Sequence, residues 1–318
     1  MSDYAHWQYT FNAPTFRHTS MFNLAIIGDV HLHFNQQDVT FFNQSAYDLI
    51  LCVGDLSNWR PHEGLKTAHF LAQLQKPTLF MPGNHDTLTG QQLLAEINHW
   101  SPVIQLTSHG QEQRVDALRQ ALGPVIWGGY GVHPFTRGDE AITVITARPH
   151  AMGGSDFSCA PYLGRQYGLY SLAQSGEKLM ACVDAAATTQ LIFLAHNGPT
   201  GLGDKATDIW GCDFLAEEGD FGDEDLRQAI VYARQKGKQV IAVIAGHMHH
   251  AIKHRPNRTW HRIVDGIHYL NAARVPRIFY DNGHTLHHHL ALTLQTGIVQ
   301  VEEKLECVSS QYFGKNVA

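Results

Sequence analysis

Short apolar runs alternate along most of the chain with stretches whose apolar positions recur at helical spacing. The runs are "NLAIIGD" (23–29), "DLILCVGD" (48–55), "PTLFMPGNHD" (77–86), "QLIFLAHNGP" (190–199) and "QVIAVIAGHMH" (239–249). Runs of four to eight apolar residues bounded by Gly or Pro predict buried strands. Between them the spacing predicts helices near 89–100, 111–122, 168–187 and 223–237. The last opens on Asp223, Glu224 and Asp225 and stops at Lys236-Gly237, where start and stop signals belong. After residue 255 the period changes to alternation near 260–264, 267–271, 276–280, 286–294 and 297–306. "DNG" (281–283) supplies a hairpin turn between two of these strands. Helix–strand alternation followed by a run of strands predicts a layered α/β sandwich with two sheets. The stretch 129–167 is Gly-rich and weakly periodic, and it reads as an excursion or lid. No repeat or linker divides the chain, so the expected organisation is an N-terminal extension over 1–21 and one domain over 22–318.

Composition narrows the function. Charged residues are 16% of the 318, below the roughly 25% of an average soluble domain, while hydrophobic residues are 44%. A packed core is therefore expected rather than a solvated chain. The formal net charge of −6 offers no basic surplus to track a nucleic-acid backbone. The cysteines (Cys52, Cys159, Cys182, Cys212, Cys307) form no C-x-x-C pair, which excludes a thiolate zinc knuckle and fits reduced, buried thiols. No run of 18 apolar residues predicts a membrane span, and residues 1–20 lack the pattern of a secretory signal. A cytoplasmic protein is the expectation.

Histidine is the exception, at 22 residues. His287, His288 and His289 are expected to alternate along a polar strand face. Five of the others fall in a pattern that carries chemistry. At the carboxyl end of every one of the five apolar runs stand metal-capable groups: Asp29 and His31, Asp55, Asn84 and His85, His196, then His247 and His249. Ligands of open α/β sheets bind beyond those strand ends. A Gly-Asp after one strand is an ordinary turn, but five strand ends delivering such groups converge on one crevice. Carboxylate, imidazole and amide donors suit two divalent ions of the borderline kind, Mn, Fe, Zn or Co.

The series D-x-H (29–31), G-D (54–55), G-N-H-D (83–86), a lone His after a strand (196) and G-H-x-H (246–249) resembles the calcineurin-like metallophosphoesterase superfamily. Order and spacing both match, over about residues 22–280. The resemblance implies an α/β fold, a four-layer α-β-β-α sandwich of two mixed sheets flanked by helices. It implies that Asp29, His31 and His249 hold one metal, that Asn84, His196 and His247 hold a second, and that Asp55 bridges them. His85 would protonate the leaving oxygen and Asp86 would orient His85. The implied activity is hydrolysis of a small-molecule phosphate mono- or diester by a metal-bridging hydroxide. The sequence departs from the protein-phosphatase pattern at "GDLSNWR" and "GNHD", and Asn58 stands where purple acid phosphatases place a Tyr ligand. "HNGPTGLGD" (196–204) is similar to the H-G-P-P-x-G loop of small-molecule phosphodiesterases, with Asn197 in place of Gly. The alternatives are a nucleic-acid phosphodiesterase or nuclease, and a non-catalytic metal-binding scaffold of the same fold. His33 is a candidate substrate group. Arg60, Arg137, Arg148 and Arg165 are candidate phosphate clamps, weighed against solvated surface positions. Lys205 and Asp208 are weaker candidates for the substrate mouth, and Trp59 is expected to close the core.

Overall fold

The computed structural model describes residues 21–307, apart from residues 215, 216, 218 and 296. The expected extension over 1–21 therefore lies, save Met21, outside the described residues, as does the tail after 307. The chain runs β1 (Phe22–Ile27), α1 (Gln36–Gln44), β2 (Leu49–Cys52), α2 (Gly64–Leu71), β3 (Thr78–Phe80), α3 (Gly90–Ile97), α4 (Ser101–Thr107), α5 (Gln111–Leu122) and β4 (Ile126–Trp127). It continues with β5 (Gly131–Arg137), β6 (Glu140–Thr146), α6 (Ala160–Tyr167), α7 (Leu172–Ala185), β7 (Gln190–Leu194), α8 (Glu224–Gln235) and β8 (Gln239–Ala245). Five strands close it: β9 (His261–Val264), β10 (Ile267–Asn271), β11 (Ile278–Asp281), β12 (His284–Gln295) and β13 (Ile298–Cys307).

Two mixed sheets result. One has the order β11-β12-β1-β2-β3-β4, with β13 paired to β12; the other has the order β5-β6-β7-β8-β10-β9. The strands β1 to β4 are mutually parallel, as are β6, β7, β8 and β10. The alternation of side chains along each strand builds the layers. Leu24 and Ile26 of β1 join Leu49, Leu51, Val144, Ile192, Leu194 and Ile244 in a core between the sheets. Ala25 and Ile27, one residue out of phase, pack with Ile50, Cys52, Phe42, Leu71 and Leu118 under α1, α2 and α5. Leu179, Leu226 and Ile230 of α7 and α8 cover the outer face of the second sheet with Phe193 and Val243. The α-β-β-α order is thus three apolar interfaces between four layers.

Two expectations change here. The stretch 129–167 is not a lid: it contributes β5, β6 and α6, and β6 is a buried strand between β5 and β7. Its run "EAITVIT" is β-branched and apolar, which outweighs the surrounding glycines. Nor do His287, His288 and His289 form a solvated face, because each is 1–2% exposed. His287 and His289 face α1 and the loop after it, and His288 faces the other way toward His250 and Glu303, so both faces of β12 are covered there. Each ring meets a polar partner there. His287 Nδ1 is 2.8 Å from Asp38 Oδ1, which also accepts from Arg277 at 3.0 Å. His288 Nε2 is 3.1 Å from Glu303 Oε1, and His289 Nε2 is 2.7 Å from the Tyr47 hydroxyl.

Candidate metal centre

The carboxyl ends of β1, β2, β3, β7 and β8 open on one side of the sandwich, and the expected residues meet there. The loops after β1 and β2 are laced by backbone bonds: His31 N–H donates to Asp55 O (2.7 Å) and Leu32 N–H to Leu56 O (3.0 Å). Four of the metal-capable residues sit in the left-handed backbone region: Asp29 (φ 41°), His31 (42°), Asp55 (50°) and His247 (68°). Each such non-glycine conformation costs about 1–3 kcal/mol, and such strain clusters at functional sites.

Two tripods of donor atoms form. Asp29, His31 and His249 make one and Asp55, His196 and His247 the other, with the donor atoms of each within 4.8 Å of one another. Asn84 belongs to the second: its Oδ1 is 2.8 Å from His196 Nε2 and 3.2 Å from His247 Nδ1. Asp55 Oδ2 stands between the tripods, 3.5 Å from His196 Nε2 and 3.9 Å from His31 Nε2. Within the first tripod, the Nε2 atoms of His31 and His249 are 3.2 Å apart.

The orientation of the rings tests whether cations fit. His31 Nδ1 is 2.9 Å from Ser57 O, His196 Nδ1 is 3.0 Å from Val53 O, and His247 Nε2 is 3.1 Å from Met152 O. A carbonyl can only accept, so each of these nitrogens carries the proton. The other nitrogen then aims a lone pair inward, where Asp55 Oδ2, Asn84 Oδ1 and a second imidazole also aim lone pairs. That is the ring orientation found around bound metals. The clustered charges also act on one another. The Asp55 and Asp29 carboxylates, working against burial, push His196 up to about 10. The Asp29 carboxylate likewise raises His249 against burial. Burial and the neighbouring His196 charge push His247 down to about 3. Against the burial of its carboxyl, His196 and His85 hold Asp55 well below the usual carboxylate range.

His85 stands beside the tripods, its ring edge-on to His31 (5.3 Å) and to Trp59 (5.6 Å). Its Nδ1 is bonded to the Asn58 carbonyl and its backbone N–H donates to Asp55 Oδ1 at 2.8 Å. Asp86 does not orient that ring. Its buried carboxylate accepts three backbone N–H bonds, from Gly83 (2.7 Å), Asp55 (2.9 Å) and Leu56 (2.7 Å), so it braces the two loops against each other. Burial and the Asp55 charge push this carboxyl up to about 7.

The weaker candidates are placed elsewhere. Arg148 is buried and bonded to Asp223 (2.7 Å), Asp225 (2.9 Å) and Ser158 (3.2 Å), so no guanidinium edge is left for a phosphate. Arg165 pairs with Glu112 and Arg137 with Asp48, and Arg60, 3.8 Å from Glu63, is largely exposed. Asp208 accepts from the Lys205 amide within its own turn. His33 is bonded through Nδ1 to the His31 carbonyl. Trp59 is 58% exposed and lines a cleft with His85 instead of closing the core. Two supporting residues carried no sequence signal. His150, buried and pushed down to about 4 by that burial, is 2.7 Å from the Gly83 carbonyl through Nδ1. Arg258 donates Nε–H to the His249 carbonyl at 3.0 Å.

Comparison with known proteins agrees with this geometry. The sequence model of a family described as calcineurin-like phosphoesterase matches residues 22–251. No curated protein matches the chain. One crystal structure aligns at 14% identity over 91% of this chain and 100% of its own, with a TM-score of 0.51, a likeness of fold. A Thermus thermophilus protein, TT1561, aligns at 11% identity over 89% of this chain and 98% of its own, with a TM-score of 0.49. A metallophosphoesterase from Sphaerobacter thermophilus aligns at 12% identity over 89% and 87% of the two chains, with a TM-score of 0.29. No helix among the described residues is long and apolar enough to cross a membrane.

Proposed function

The chain belongs to the calcineurin-like phosphoesterase family, and on that premise we propose that it hydrolyses a small-molecule phosphate mono- or diester at a dinuclear centre. The observation that carries this reading is the pair of tripods with inward lone pairs and Asp55 Oδ2 between them. Asp29, His31 and His249 would hold one cation, Asn84, His196 and His247 the other, and Asp55 would bridge. The mixed nitrogen and oxygen donors suit Mn, Fe, Zn or Co. When bound, such a pair supplies the Lewis acidity that makes water nucleophilic near neutral pH and offsets charge on the phosphoryl oxygens.

The chain's own residues do the rest. The His85 amide holds Asp55 Oδ1, which leaves Oδ2 turned to the centre. The Asn58 carbonyl holds the His85 Nδ1 proton, so Nε2 must carry a second proton, the imidazolium form, to hand one to the departing oxygen. Trp59, edge-on to His85, keeps that ring from turning away. Pairing of β12 with β1, the strand that leads into Asp29 and His31, supports residues 22–318 working as one unit. A cytoplasmic setting is in keeping with the free, mostly buried cysteines.

The test is hydrolysis of p-nitrophenyl phosphate and bis-p-nitrophenyl phosphate with Mn²⁺ added or chelated, beside two variants. His85→Ala should keep its metal and lose about 10²–10⁴ in rate, while Asp55→Ala should lose metal as well. Equal metal loss in both would overturn the division between proton donor and ligand.

A further inference from the structure

A cleft of about 670 Å³ opens beside the tripods. Its inner end is Asn84, His85 and His247, so a phosphate ester seated at the centre must lay its organic part along it. The walls are aromatic and aliphatic: Trp59, Leu93, Ile97, Phe157, Phe214 and Phe221. Phe214 and Phe221 meet edge to face at 4.9 Å, and the Phe221 backbone is held by Gly154 N–H (3.0 Å) and Asn197 Nδ2 (2.9 Å), so that wall is built rather than loose.

Charge decides what such walls accept. No lysine or arginine lines the cleft among the described residues, so a second phosphate or a nucleic-acid backbone would find no cation there. The acids that line it are Glu96 and Asp156. Asp156 lies at an exposed position 3.5 Å from His99, whereas Glu96 is largely covered. Glu96 Oε1 is buried and has no hydrogen-bond partner among the described residues. Burial raises its carboxyl above the usual range, although the Cys159 amide and Gln92 hold it down. A buried acceptor without a donor is expensive to leave unmade. Oε1 itself has almost no surface open to a ligand, so what the cleft offers is the charge of the Glu96 and Asp156 carboxylates between aromatic walls, and both favour a cation.

We infer that this cleft selects phosphate esters whose organic part is apolar or aromatic and carries a protonated nitrogen, drawn in by the Glu96 and Asp156 carboxylates and held against the aromatic walls. The inference rests on the phosphoesterase reading above and adds the substrate class to it. Glu96 is a specificity residue here, not a participant in the bond-breaking step.

Three esters of similar size test it on the Mn²⁺-loaded full chain: 4-(aminomethyl)benzyl, 4-ethylbenzyl and 4-(carboxymethyl)benzyl phosphate. Each is offered as the monoester and as the methyl diester, with release of the benzyl alcohol followed by chromatography. The ammonium ester should exceed the ethyl ester about tenfold in kcat/KM, with the carboxylate ester slowest. Glu96→Gln should bring the first ratio near one, chiefly through KM, with metal content and ethyl-ester kcat unchanged. Equal rates for the three esters, or a Glu96→Gln loss that is uniform across them, would overturn the inference and leave the phosphoesterase reading standing. Absence of turnover of these esters and of both nitrophenyl esters, in protein shown to hold two metals, would sink the phosphoesterase reading itself.

Discussion

Adding a single methyl group at Gly83 should dismantle one half of the centre. Gly83 has φ −94° and ψ −178°, a conformation open to any residue, so alanine brings no backbone penalty there. Its Cβ, however, would lie 2.2 Å from Asp55 Oδ1, 2.5 Å from His196 Cε1 and 2.8 Å from His196 Nδ1. The shortest of those contacts is more than roughly 1 Å inside van der Waals separation. Neither neighbour is a loose end, because the His85 amide holds Asp55 Oδ1 and the Val53 carbonyl holds His196 Nδ1. Both ligands of the second tripod must therefore shift. Overpacking of this kind costs about 1–3 kcal/mol, and a displacement near 1 Å costs about 10² in rate. Metal per chain after gel filtration, kcat on a nitrophenyl ester and the urea midpoint would be measured together. Gly83→Ala should fold, lose the metal of the second tripod and fall at least about a hundredfold in kcat. At Gly246 the added Cβ would lie 2.2 Å from Asp29 Oδ1, so Gly246→Ala should strike the first tripod directly and reach the second only through the His247 amide that Asp29 holds. A Gly83→Ala protein with two metals per chain and wild-type kcat would refute the reasoning.

The remaining predictions are of stability. Asp86→Ala strips the acceptor from three buried backbone N–H groups and should cost about 3 kcal/mol or more, read as a fall in urea midpoint together with loss of metal. Arg148→Met leaves Asp223 and Asp225 unpaired and should cost about 3–5 kcal/mol, most of it recovered when both acids are changed to Asn. Chelation should lower the unfolding free energy of the wild type by about 2.7 kcal/mol per metal relative to metal at a hundred times its dissociation constant, read as a fall in urea midpoint, and leave Asp55→Ala unmoved. The hydrogen bond to His288, with Arg274 adding to it against partial burial, lowers Glu303 from 4.5 to about 2. A depressed carboxyl contributes stability above its unfolded pKa and loses it as pH falls toward the folded one. Glu303→Gln should thus cost on the order of 1 kcal/mol at pH 7, and its deficit should close between about pH 4.5 and pH 2. An equal deficit at both pH values would contradict the pairing.

The sequence carried the part of the site that side-chain identity determines. Five apolar runs ending in metal-capable groups placed Asp29, His31, Asp55, Asn84, His196, His247 and His249 at strand ends, and the structure brings those seven together. What it could not carry is the work of main-chain atoms. The carbonyls of Ser57, Val53, Met152 and Asn58 fix which nitrogen of His31, His196, His247 and His85 is protonated, and any residue type offers the same carbonyl. The role expected of Asp86 changes for a related reason: a G-N-H-D tetrapeptide puts it next to His85, but the 3-10 turn over Asn84–Asp86 points it back at Gly83. The helices α1 and α2 escape a reading by period because each buries only a few short-range positions beneath polar surroundings, Val39 and Phe42 in α1 and Ala68 and Leu71 in α2.

The histidines show where composition misleads and topology corrects it. A row of three on one strand looks like a polar face when the strand is taken alone. Once α1 and the loop after it cover His287 and His289, and His250 covers His288, the row is buried and its rings turn to partners. Asp38, Tyr47 and Glu303 supply those partners from α1, the loop after it and β13, the first two lying 249 and 242 residues away in sequence. Such partners stabilise by closing hydrogen bonds that burial would otherwise leave open. The metal-centre rings obey the opposite logic: one nitrogen is closed by a carbonyl and the other is kept facing acceptors. Abundance is common to both groups of histidine. The difference lies in what gathers around the rings: Asp38, Glu303 or Tyr47 singly on β12, but several inward-facing carboxylate, amide and imidazole donors at the ends of β1, β7 and β8, which marks those ends as the candidate metal centre.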